Sequence, residues 1–182
     1  VSLLAELAGR RLAGNSPDLA SARDAVGRIQ AQARQASASS IAVLAWISGE
    51  EAPAVSLKAG VEACVTLLRT DAEMRGTAIS SRIGDIDAAV SQRALRTVFT
   101  AALVAAVDRM PHPASIELHA GRAEDRVEVR IEVRSLQSGP GQPFGGERPV
   151  TWDDVAALAA LEGVEVLATG DPPVVCCRFR PL

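Results

Sequence analysis

LRTVFTAALVAAVDRMP, running from Leu95 to Pro111, decides how this chain is read. Its apolar residues Leu95, Val98, Phe99, Ala102 and Ala106 fall at three- and four-residue steps, the period of a helix with one face in a core. Leu103 also falls inside. Ser91 stands where an N-cap hydroxyl belongs, and Pro111 stops the run. What the helix lacks is chemistry: Ala101 and Ala105, one turn apart, offer no donor or acceptor beyond the backbone.

Working outward, the segments on either side alternate between helix and strand patterns. Upstream, Ser56 can cap a helix with Leu57, Val61, Cys64 and Leu68 on one face, and residues 77–83 read as a short strand. Downstream come strands around 115–120 and 127–135. In the second, Val127, Val129, Ile131 and Val133 point one way, while Glu128, Arg130, Glu132 and Arg134 point the other, toward solvent. Residues 136–149, rich in Gly and Pro, read as loop. Thr151 caps a helix over 152–161 that Gly163 ends, and strands over 164–168 and 174–179 close the chain. This order predicts an α+β fold, an α/β sandwich over residues 54–182.

Ahead of it, residues 1–48 predict a helical hairpin. Leu3, Leu4, Leu7 and Leu12 mark a first helix, broken at Gly14-Asn15-Ser16-Pro17. The second runs to about Ser48 with a 3-4 seam of Leu19, Ala22, Val26, Ile29, Ala33, Ala36, Ser40, Val43 and Ile47. A hairpin cannot bury such a seam alone, so a homodimer forming a four-helix bundle is expected. The Gly-Glu-Glu-Ala-Pro stretch at 49–53 links the two parts.

The 182 residues are 48% apolar and 23% charged, which suits a core-forming protein and excludes a disordered one. A net charge of −3 with scattered arginines argues against a nucleic-acid partner. No apolar run reaches the ~18 residues of a membrane span, and no secretory pattern opens the chain, so a cytoplasmic protein is expected. Cys64, Cys176 and Cys177 sit in apolar segments and suit neither a disulfide framework nor zinc. Neighbouring Cys176 and Cys177 point to opposite faces of a strand. Asp153 and Asp154 suit the first turn of a helix, and no nucleophile–base set can be assembled.

The quoted helix resembles the N-box helix of the histidine-kinase ATPase superfamily, placed without a gap: Leu95-Arg96 open it and Pro111 closes it. VSLLAELAGRRLAGNSPDL and IAVLAWISGEEAPAVSL resemble the hairpin helices of two-component histidine kinases and histidine phosphotransferases. DAEMRGTAISSRI looks like the link into the ATPase sheet, and DDVAALAALEGVEVLATGDPPVVCCRFRPL like the closing helix, glycine turn and two strands. The resemblance covers nearly the whole chain and implies a Bergerat-like (histidine-kinase ATPase-like) sandwich behind a dimerising hairpin.

The resemblance also implies which parts are lost. Ala101 and Ala105 occupy the family's asparagine positions, whose amides hold the magnesium that bridges the nucleotide phosphates. Ser135 or Gln137 stands where an aspartate reads adenine, ahead of Gly139-Pro140-Gly141. The lid is reduced to Gly145-Gly146-Glu147-Arg148-Pro149. No metal, cofactor or catalytic residue is therefore expected. The phospho-accepting histidine would lie a few residues before Val1. His112 in a turn and His119 at a strand end are both poorly placed to carry a phosphoryl group. The expected partner is a response-regulator receiver, met by Arg10, Arg11, Arg23 and Arg28 of the hairpin. Three readings follow: a phosphotransferase-like or pseudokinase scaffold; the catalytic part of a sensor kinase whose histidine lies upstream; and an interaction module that keeps only the fold.

Overall fold

The computed structural model describes residues 6, 19–48, 53–109, 113–136, 149–170 and 174–182. The chain divides into two compact units, Val1–Gly49 and Glu50–Leu182. In the first, α1 (Leu19–Ser48) is a single helix of 30 residues, roughly 45 Å long at 1.5 Å per residue. Ala22 is buried and Ile29 half-buried, but Leu19 is 70% and Val26 44% exposed, and Ala33 and Ala36 lie open. Ile41 and Leu44, which the seam pattern leaves out, are exposed as well. Apart from helical Glu6, the expected first helix, with Arg10 and Arg11, lies outside the described residues.

The second unit runs β1 (Val55–Ser56), α2 (Leu57–Met74), β2 (Thr77–Ser81), β3 (Ala89–Val90), α3 (Gln92–Ala94), a π turn (Leu95–Phe99) and α4 (Thr100–Arg109). It continues with β4 (Ala114–Ala123), β5 (Arg126–Ser135), α5 (Trp152–Glu162), β6 (Glu165–Thr169) and β7 (Val174–Phe179). Five strands form one sheet in the order β2-β4-β5-β7-β6. Its β2–β4 pair is parallel and the others antiparallel, while β1 and β3 pair separately. Helices cover one sheet face. Ile116, Leu118, Val129, Ile131, Val175 and Phe179 meet Leu57, Val61, Leu95, Val98, Phe99 and Leu103 there in one continuous core. This is the α+β sandwich that the alternation of β5 predicts.

Local chemistry sets the boundaries. The Ser56 hydroxyl accepts from the Ala59 amide and starts α2. Thr151 and Asp154 form a reciprocal capping box at α5, and Gly163 ends that helix at φ 67°. A two-residue turn, Glu124-Asp125, joins β4 to β5, with Glu124 left-handed at φ 56°.

Three expectations need correction. The quoted helix is not regular: a π turn at Leu95–Phe99 inserts one residue between α3 and α4, which period counting cannot see. Strand β4 extends to Ala123, so His119 lies mid-strand opposite Arg130 and not at its end. The charged face of β5 is not simply solvated either. Glu128 is buried because Arg178 on β7 and Arg130 close over it, donating at 2.8 and 3.3 Å.

Candidate functional site

The helix that carries the resemblance is fixed at both ends. Ser91 Oγ accepts from the Ala94 amide at 3.2 Å, and Arg93 pairs with Glu162 of α5 at 2.9 Å. At the far end, Asp108 accepts from the Arg75 guanidinium at 2.6 Å through one oxygen and from the Val150 amide at 3.2 Å through the other. Arg75 also holds Asp71 at 2.9 Å. One carboxylate thus joins the ends of α2 and α4 to the approach of α5.

Between these ties the helix sorts its residues sharply. Leu95, Val98, Phe99, Ala102, Leu103, Ala105 and Ala106 are buried, all with no exposed surface, whereas Thr97, Ala101, Val104 and Asp108 form a half-buried row. Ala105 therefore presents no surface at all, and Ala101 sits at the rim. A magnesium–triphosphate group needs oxygen or amide ligands facing it; two methyl groups, one of them inside the core, do not fit it. Ser135 ends β5, half-buried, and its Cα pairs with that of Ala114. Gln137, the glycines at 139, 141, 145 and 146, and His112 lie outside the described residues.

The remaining candidates are scattered. Arg23 and Arg28 are exposed on α1. Cys64 and Cys177 are buried; burial pushes the Cys177 thiol up to about 12, and raises Cys64 against the pull of Thr100 and Arg96. Cys176, on the opposite face of β7, is half-buried and also raised by burial, so none of the three is an activated thiolate.

One cluster escaped the sequence. Glu117 and His119 alternate onto the outer face of β4, and register sets Glu117 directly opposite Glu132, bringing the three within 4.8 Å of one another. The i, i+2 spacing was visible, but the cross-strand partner was not. Arg82 contacts Glu117, and Arg134 lies 3.7 Å from Glu117 and 3.6 Å from Glu132. The carboxylates already have counter-charges, which leaves little attraction for a cation.

No protein-family model matches the sequence, and no curated protein matches it. Solved structures do. The chain is similar to the Acinetobacter baumannii histidine kinase AdeS at 12% identity and TM-score 0.53, with 98% of this chain and 95% of that one covered. It is similar to a bacterial phosphotransferase at 13% identity and TM-score 0.59, over 98% and 85% of the two chains. The histidine kinase ThkA, solved in complex with the response regulator TrrA, matches at 12% identity and TM-score 0.52, over 99% of this chain and 57% of that one. At such identities the likeness is one of fold, and it is plain: this chain has the histidine-kinase ATPase-like fold. No described helix is long and apolar enough to cross a membrane.

Proposed function

We propose that this protein works in two-component signalling as a phosphotransferase-like or pseudokinase scaffold. It pairs with a second copy through residues 1–48 and docks a response-regulator receiver, without hydrolysing ATP. The observation that carries this reading is Ala105: where the resemblance calls for a metal-binding amide, a methyl group is fully buried. Docking finds support in the exposed Arg23 and Arg28 of α1 and in the ThkA complex, where a protein of this fold holds a response regulator. Such rim charges set association rate and partner choice more than affinity.

Loss of an adenine-reading acid removes a charge-assisted hydrogen bond worth about 1.5–3 kcal/mol. Loss of the metal-binding amide adds to that, and together they weaken nucleotide binding by orders of magnitude. Calorimetry with Mg-ATP is the test: no measurable binding is expected, and micromolar affinity would overturn the proposal. That outcome would favour the second reading, the catalytic part of a sensor kinase whose phospho-accepting histidine lies upstream of Val1. The match to AdeS along almost the whole chain gives this reading its support.

A further inference from the structure

β2 is an edge strand. Its parallel register with β4 is closed by the Ala114 amide donating to the Gly76 carbonyl and the Arg82 amide donating to the Leu118 carbonyl. Residues 76 and 82 thus face β4, as the even positions between them do. Alternation turns the N–H and C=O of Ile79 and Ser81 toward the other edge, which no strand of the described residues occupies. An uncovered row of backbone donors and acceptors is a template for another strand.

Beside this edge lies a groove of about 540 Å³ between α2 and β2. Its floor is apolar, made by Val65 and Ile79, and Thr66, Ser80 and Ser81 line its sides. The helix contributes opposite charges, Glu62 and Arg69, both exposed. No ion pair ties up Arg69 among the described residues, and Lys58, one turn before Glu62, is engaged by Asp85 at 2.7 Å. Seven residues of helix separate the two charges by about 10.5 Å.

We propose that this groove takes an extended peptide as a sixth strand on β2. One apolar side chain covers Val65 and Ile79. An acidic and a basic side chain, two positions to either side of it on the same face, meet Arg69 and Glu62. In an extended chain those two positions lie roughly 13 Å apart, within side-chain reach of the helix charges. Backbone pairing supplies affinity, and the charge order supplies direction and selectivity, as in other strand-addition sites.

The test uses the full chain and two capped synthetic peptides, Ser-Arg-Thr-Val-Thr-Glu-Ser and its charge-inverted form Ser-Glu-Thr-Val-Thr-Arg-Ser, with anisotropy and amide exchange as readouts. One order should bind at least tenfold more tightly, with exchange at Ile79 and Ser81 slowed about tenfold. The double variant E62R/R69E, altered only at exposed positions and checked by its melting curve, should reverse the preference. Failure of both peptides to bind, equal affinity for the two orders, or a preference unmoved by the double variant would overturn the proposal. So would protection of Ile79 and Ser81 that rises with protein concentration alone, because a second copy would then be the occupant.

Discussion

Replacing Ala105 with asparagine restores the side chain that the resemblance calls for, at a position the structure has closed. Ala105 has no exposed surface and lies in the core that Phe99, Ala102 and Val155 share. Asparagine costs up to about 0.7 kcal/mol in helix propensity alone. Burying its amide without a partner adds about 1–3 kcal/mol, and forcing extra atoms into a packed core about 1–3 kcal/mol more. The sum, roughly 3–7 kcal/mol, is a large share of the roughly 5–15 kcal/mol that holds a domain folded. At about 3–5 °C per kcal/mol for a domain of this size, the melting temperature should fall by at least ~10 °C, read by circular dichroism. Ala101→Asn is the control. Its position is half-buried, so it carries the propensity cost with little of the rest, and should lose under about 1.5 kcal/mol. An Ala105→Asn protein as stable as its parent would refute the packing argument, and one that also gained Mg-ATP affinity would show that position 105 faces a nucleotide site and not the core.

Three further outcomes are expected. Changing Val26 and Ile29 of α1 to glutamate should convert a homodimer to monomer or insoluble chain, and a monodisperse monomer of the unaltered protein in light scattering would remove the dimer from the proposal. Gly60→Ala would usually gain about 1 kcal/mol in a helix. Here the new Cβ would meet Leu95 Cδ2 and Val55 Cγ1 at 3.0 Å, so urea denaturation should show no gain or a loss of about 1–2 kcal/mol. For Glu128, burial pushes the pKa up, but the hydrogen bonds and charges of Arg178 and Arg130 outweigh it and hold the folded value below 4.5. A depressed carboxylate contributes stability that is present above the unfolded pKa and lost as pH falls through the folded one. The stability gap between the parent and Glu128→Gln should therefore hold steady from pH 7 to 5 and shrink below about 4.5; a gap that widened in acid would reverse the sign of this argument.

Much of the sandwich was legible because its signals are local. Ser56, Ser91 and Thr151 cap through their own hydroxyls, Gly163 takes a left-handed turn, and β5 alternates cleanly, so each boundary was written within a few residues of itself. Strands of two residues, β1 and β3, leave too short a pattern to read. Contacts between distant residues were out of reach for a different reason. Arg75 meets Asp108, Arg178 covers Glu128, and Glu117 faces Glu132 only after the sheet has chosen its order and register. The candidate site was legible as two alanines at two positions; that one is sealed and the other sits at the rim is a property of packing, which no spacing encodes.

The π turn at Leu95–Phe99 has a consequence for anyone rebuilding this helix. In a regular helix one additional residue would turn all that follows by about 100°, but a π turn winds less tightly and takes the extra residue up, so the phase beyond it is kept. The Ser91 cap and the Arg93–Glu162 tie fix the phase of the first turns, while Asp108 fixes that of the last. Removing one residue within the turn would leave a regular helix with both anchors near their present phase, whereas an insertion or deletion in α4 itself would swing Asp108 away from Arg75 and the Val150 amide. Aiming a ligating side chain outward from α4 is thus a matter of rotation as much as of side-chain identity, and the rotation is held at the Ser91 cap and the Asp108 carboxylate.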